Sequence, residues 1–93
     1  MSYELEFKTS ALKEWNKLGA SLRGQFKKKL AERLDAPHVP AAKLRGSTGR
    51  YKIKLRNAGY RLVYEVEEAR LVVVVVAVDK RARGGVYRKA EGR

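Results

Sequence analysis

The chain has 93 residues, with 22 Lys and Arg against 10 Asp and Glu and a net charge of +12. That length and a 44% apolar fraction fit one domain with one core and argue against wholesale disorder. With no cysteine and a single histidine, His38, the inventory excludes a disulfide framework, a thiolate zinc site and a two-histidine nuclease.

The N-terminus, Met1-Ser2-Tyr3-Glu4-Leu5-Glu6, lacks a basic segment followed by an apolar run, so no signal peptide is expected and the protein is read as cytoplasmic. Tyr3, Leu5 and Phe7 alternate with Glu4, Glu6 and Lys8, the period of a half-buried strand. Thr9 and Ser10 supply helix-start chemistry, and Leu12, Trp15 and Leu18 give a short amphipathic helix that Gly19 stops. Ser21 is the expected cap of a second helix, with Leu22, Phe26, Leu30 and Leu34 on one face. That helix ends before Pro37, because a residue preceding proline avoids the helical region. The two helices read as a helical hairpin. Asp35 to Gly49 is expected to be a loop, and His38 within it is expected at the surface.

Strands follow. Tyr51, Ile53 and Leu55 alternate with Lys52, Lys54 and Arg56; Leu62, Tyr64 and Val66 alternate with Arg61, Val63 and Glu65. A four-residue loop, Asn57 to Tyr60, keeps every apolar position on one face and pairs Leu55 with Leu62, Ile53 with Tyr64 and Tyr51 with Val66. The run Leu71 to Val78 is apolar on both faces, which places it centrally in the sheet. At eight residues it is far short of the ~20 that a membrane span needs. Valines on both faces require that the second face be covered in part, and the tail Asp79 to Arg93 is the available segment. Its Gly84-Gly85 pair weakens any helix there. The predicted order is β-α-α-β-β-β with a short C-terminal element: an α+β domain over residues 1–93, its mostly antiparallel sheet covered on one face by the helical hairpin.

The charge is unevenly spread. Residues 1–42 carry a net of +3 and residues 43–93 a net of +9, and the stretch from Lys43 to Arg61 has seven basic residues and no acidic one. In the predicted register Lys52 lies across from Glu65, Lys54 across from Val63 and Arg56 across from Arg61, with Arg61 diagonal to Lys54. Like charges facing across strands are destabilising, and a merely solvated face more often mixes signs. A phosphate-binding surface accounts for this patch better than a solvated strand face does, and the basic domain as a whole is expected to meet a polyanion: RNA, DNA, a ribosome or an acidic partner protein. Lys27-Lys28-Lys29 reads most simply as a solvated helix face, with a contact to ribosomal RNA as the other reading.

The segments Ala11-Leu12-Lys13-Glu14-Trp15, Lys27-Lys28-Lys29-Leu30, Lys43-Leu44-Arg45-Gly46, Tyr51-Lys52-Ile53-Lys54-Leu55-Arg56, Gly59-Tyr60-Arg61-Leu62-Val63-Tyr64, Val72 to Val78, Lys80-Arg81 and Val86-Tyr87 stand out together. In that combination the chain resembles the RelE toxins of the RelE/ParE superfamily. The resemblance implies a microbial-ribonuclease-like fold and a toxin that cleaves mRNA in the A site of the 70S ribosome. It implies attack by the ribose 2′-hydroxyl on the adjacent phosphate, no metal and no cofactor, and neutralisation by a RelB-like antitoxin. The family's catalytic set falls on Lys52, Lys54, Arg61, Arg81 and Tyr87, with Arg45 as a further basic contact. Lys43, Arg56, Arg83, Lys27 and Lys28 complete the expected RNA- and ribosome-binding residues.

A lysine is almost wholly protonated at pH 7, so Lys54 as general base needs help from the like charges of Lys52 and Arg61. Arg81, the family's proposed acid, is a poor proton donor. Much of the rate is then expected from positioning the RNA and neutralising the phosphorane. Lys52 and Arg61 would stabilise that charge, and Tyr87 would stack on a base or orient the nucleotide. The alternatives are a ParE-like inhibitor of DNA gyrase and a non-catalytic RNA-binding module.

Overall fold

The structure, a computed structural model, describes residues 3–46, 49–80 and 85–93. In chain order it comprises strand β1 (Glu4–Phe7), helix α1 (Thr9–Asn16), helix α2 (Ala20–Asp35) and a 3-10 turn (Pro40–Ala42). Strands β2 (Arg50–Leu55) and β3 (Tyr60–Glu67), a second 3-10 turn (Glu68–Arg70), strand β4 (Val72–Lys80) and helix α3 (Gly85–Glu91) follow. The sheet order is β1-β4-β3-β2. β1 runs parallel to β4, while β4–β3 and β3–β2 are antiparallel, so the sheet is mixed but mostly antiparallel, as the pattern predicts.

One face of the sheet meets α1 and α2. Ala11, Trp15, Leu18, Phe26 and Leu30 pack there on Tyr51, Ile53, Leu55, Leu62, Tyr64, Val73 and Val75. Trp15 is the hinge of this core, its ring 5.2 Å from Phe7 and 6.2 Å from Phe26. The expected stripe of α1 needs one correction: Leu12 is exposed, and Ala11 takes its place. On a helix of 3.6 residues per turn, Ala11 and Leu18 fall to one side of Trp15 and Leu12 to the other. The hydroxyl caps are also corrected. Lys8 and Gly19 are the extended N-cap residues, neither makes a side-chain cap bond, and Thr9 and Ser21 already lie inside helices.

β4 is central and buried from Val72 to Val78. Its pairing with β3 skips Val76, because Val63 faces Ala77 while Tyr64 faces Val75. One extra residue reverses the alternation that follows it. Val73 and Val75 accordingly point to the helical pair, whereas Val76 and Ala77 both point to the other face. There α3 covers them with Val86 and Ala90, over Val63. The tail does cover part of the second face, and the Gly84-Gly85 pair does not prevent a helix from Gly85 onward.

The β2–β3 register differs from expectation by two residues. Leu55 pairs with Tyr60, Ile53 with Leu62 and Tyr51 with Tyr64. Gly59 has φ +71° and its N–H donates to the Leu55 carbonyl, so it closes the loop and Tyr60 begins the next strand. A shift of two keeps every side chain on its predicted face and changes only the partner across the strand.

Candidate nucleic-acid interface

α3 covers the β4 side of the second sheet face and leaves the β2 side open. Lys52 and Lys54 on β2 and Arg61 on β3 stand on this open part, half-buried beside α3. The corrected register sharpens their arrangement. Lys54 faces Arg61 directly, Lys52 faces Val63, and Arg56 lies in the turn rather than opposite Arg61. Glu65, expected to offset Lys52, instead faces Arg50 and accepts a 2.9 Å bond from its Nε. Arg50 also donates to the Ala90 carbonyl, tying β2 to α3.

Tyr87 overhangs this patch from α3. Arg61 Nη1 donates to Tyr87 Oη at 3.2 Å, and the guanidinium carbon lies 5.7 Å from the ring centroid. Lys54, Arg61 and Tyr87 are thus joined through Arg61. Lys52 sits between two clefts. The first, about 360 Å3, has Lys43, Arg45, Arg50 and Lys52 on one side and Tyr87 and Glu91 on the other. The second, about 310 Å3, is lined by Arg33, Lys52, Lys54 and Arg56. Arg81 and Arg83 fall outside the described residues, as does Gly84.

The expected loop carries unexpected order that fixes the first cleft. Lys43 forms a bridge with Tyr51, and Leu44 N–H donates to the Arg50 carbonyl at 3.0 Å, which sets Lys43 and Arg45 along the outer edge of β2. Arg33 was not singled out by sequence. It donates to the Lys52 carbonyl at 3.2 Å and to Tyr64 Oη at 2.8 Å, and Tyr64 donates to the Pro37 carbonyl. Burial raises the Tyr64 hydroxyl above its ordinary pKa, although Arg33 opposes the shift. His38 is exposed as expected, but pairs with Glu68 and lies 3.1 Å from Tyr51 Oη. Of the three successive lysines on α2, Lys29 lines a cleft with Lys54 and Arg56, while Lys27 and Lys28 are exposed and line none of these clefts. A helical spacing argument could have found this pair, since Lys29 and Arg33 are four apart on one face of α2.

A carboxylate cluster pins α3 in place. Glu14 on α1 accepts from Arg93 Nη1 at 2.8 Å, Arg93 Nη2 at 3.2 Å, Lys89 Nζ at 3.0 Å and the Val78 N–H at 3.1 Å. Burial pushes the Glu14 carboxyl up, but the bonds from Arg93, Val78 and Lys89 outweigh it and hold it below its usual range. Lys89 also pairs with Asp79 at 2.8 Å, and these two carboxylates keep its ammonium above its usual pKa. Among the described residues no group of three or more His, Cys, Asp or Glu could hold a metal ion. None of the described helices is long and apolar enough to cross a membrane.

What this site can do is bind a phosphodiester. Three cations converge on an open sheet face, an aromatic ring overhangs them, and the flanking clefts extend the positive surface. The profile of the family described as "ParE toxin of type II toxin-antitoxin system, parDE" matches residues 5–84. The chain is 54% identical to the mRNA interferase toxin RelE of Escherichia coli (strain K12), over all of this chain and 98% of that one. A free-state mutant of the E. coli toxin RelE superimposes with a TM-score of 0.92 at 52% identity, over 100% of this chain and 98% of that one. The toxin of the intact E. coli RelBE toxin–antitoxin complex superimposes with a TM-score of 0.83 at 54% identity, over 87% and 99%.

Proposed function

The chain belongs to the RelE toxins of the RelE/ParE superfamily, and from that membership and the site geometry we propose that it is a ribosome-dependent endoribonuclease. It cleaves mRNA in the ribosomal A site and so blocks translation in the cytoplasm. The observation that carries this reading is the Lys54–Arg61 pair facing across β2 and β3, with Tyr87 Oη 3.2 Å from Arg61. Two cationic side chains facing each other beside an aromatic hydroxyl suit the charge and the oxygens of a phosphodiester.

The reaction is attack of the ribose 2′-hydroxyl on the adjacent phosphorus. The P–O5′ bond breaks, leaving a 2′,3′-cyclic phosphate and a 5′-hydroxyl. Lys54 takes the 2′-hydroxyl proton, Lys52 and Arg61 bear on the charge of the phosphorane, and Arg81 serves the leaving oxygen. Tyr87 stacks on a base or orients the nucleotide. Lysine and arginine make a weak acid–base pair, so the chemistry gains most from a substrate already held in reactive geometry, which is what a ribosome does for an A-site codon. Lys43, Arg45 and Arg56 extend the phosphate track, with Arg83, Lys27 and Lys28 as ribosome contacts. A RelB-like antitoxin is the neutralising partner, supported by the E. coli relative's structure with its antitoxin.

Primer extension on an mRNA in a reconstituted translation system tests this. A new 5′ end within the A-site codon is expected only with ribosomes present, and it should carry a 5′-hydroxyl that a kinase labels directly. A 2′-deoxy nucleotide at the scissile position should abolish it. The matching profile carries the name of ParE toxins, which keeps inhibition of DNA gyrase as the second reading. DNA damage with intact transcripts would favour that reading. Salt-sensitive binding without a cleaved transcript would leave an RNA-binding module.

A further inference from the structure

We propose that Glu14, remote from the basic patch, is a positioning residue for Tyr87: it clasps α3 to α1 and the end of β4, and thereby sets Tyr87 against Arg61. The proposal deepens the ribonuclease reading and rests on it for its kinetic consequences. The clasp itself is independent of that reading.

α3 is seven residues long and buries Val86 and Ala90 against the sheet. A helix that short is marginal without tertiary support. Besides that burial, the support is polar, and the Glu14 carboxylate is its centre on the α1 side. Beyond the reach of β1, the skip at Val76 turns the Val76 carbonyl and Val78 N–H of β4 toward a free edge. Glu14 accepts from the Val78 N–H at 3.1 Å, and Arg93 donates to the Val76 carbonyl at 3.1 Å. Arg93 then closes a two-point bond onto both Glu14 oxygens, the strong form of a guanidinium–carboxylate contact. Lys89, one turn earlier, bridges Glu14 to Asp79 at the end of β4. Glu14 and Arg93 are both well shielded, with side chains 17% and 21% exposed.

The Lys89–Asp79 pair ties α3 directly to the end of β4. On the opposite side of α3, Arg50 holds the Ala90 carbonyl. The helix is therefore held from two sides, and Tyr87 shares a cleft with Arg50. Loss of the Glu14 charge weakens one flank only, leaving Lys89 on Asp79 and Arg93 on the Val76 carbonyl, and so loosens α3 without exposing the main core.

The test uses Glu14→Gln in the full chain, because glutamine keeps an acceptor for the Val78 N–H and removes the charge. Hydrogen exchange of the Lys89 to Gly92 amides should quicken about tenfold or more, while the Val73 and Val75 amides stay unchanged. Unchanged exchange in α3 overturns the clasp. With ribosome-bound mRNA, the single-turnover rate should fall about tenfold with KM within about twofold, the signature of lost positioning. In a Tyr87→Ala background the same substitution should cost less than about twofold, since the side chain it positions is gone. An equal loss in both backgrounds overturns the role through Tyr87. If the parent chain cleaves no mRNA, the ribonuclease reading falls alone; α3 exchange and the Tyr87 ring resonances, expected to shift in Glu14→Gln, then decide the proposal.

Discussion

Arg61 is the residue on which the site turns. It faces Lys54 across the hairpin and donates to Tyr87 Oη, so a single planar guanidinium connects a charge on the sheet with a ring on α3. A point charge on a flexible stem cannot reach a phosphate and a phenol in one fixed geometry. Arg61→Ala is expected to lower ribosome-dependent cleavage by about 10²- to 10³-fold, the scale of losing one preorganised donor to a developing charge. Arg61→Lys is expected to recover only a minor part of that loss. Stability should change by less than about 1 kcal/mol, because removing a cation opposite Lys54 also removes repulsion. Single-turnover cleavage and urea unfolding of the same variants check both halves. Full activity in Arg61→Lys would show that charge alone suffices and that the link to Tyr87 is incidental.

The β2–β3 hairpin shows how a single residue sets an element. Gly59 adopts φ +71°, and nothing lies within 4 Å of where a Cβ would sit, so a substitution there meets only backbone strain. Gly59→Ala is expected to cost about 1–2 kcal/mol, the penalty of the left-handed region for an L-residue. Urea denaturation should show a lower midpoint with an unchanged slope; an unaltered midpoint would mean that the turn does not hold the register. The same glycine explains what could and could not be read in advance. Alternation of Tyr51, Ile53, Leu55, Leu62, Tyr64 and Val66 assigned the faces correctly, because a two-residue shift preserves them. The partners across the strands depended on which residue takes the positive φ, and the pattern alone placed Tyr60 inside the loop. The skip at Val76 was hidden for a related reason: within an unbroken run of valines no polar residue marks the change of face. The basic patch was legible because it is local to one hairpin. The anchoring of α3 was not, because Glu14 meets Lys89 and Arg93 across 75 and 79 residues, and local reading saw only the glycine pair before the helix.

On the scale of the whole molecule, the net charge of +12 is divided by the sheet. Lys52, Lys54 and Arg61 stand on the face that α3 half covers, with Lys43 and Arg45 along its edge. Lys27 and Lys28 are exposed on α2, whose buried side packs on the opposite face. Both sets attract a polyanion, but only the first reaches the strands where cleavage is proposed. Counterion release gives each phosphate contact about 0.9 in the slope of log affinity against log salt. If both α2 lysines touch ribosomal RNA, Lys27→Gln with Lys28→Gln should flatten that slope by about 2 and raise KM, while the single-turnover rate at saturation stays within about twofold. Lys43→Gln with Arg45→Gln should flatten the slope comparably and also slow the saturated step, because these side chains line the cleft beside Lys52 and Tyr87. KM and saturated rates measured across a salt series separate the two. A saturated rate that falls equally for both pairs would mean that docking and positioning are not divided between the two faces.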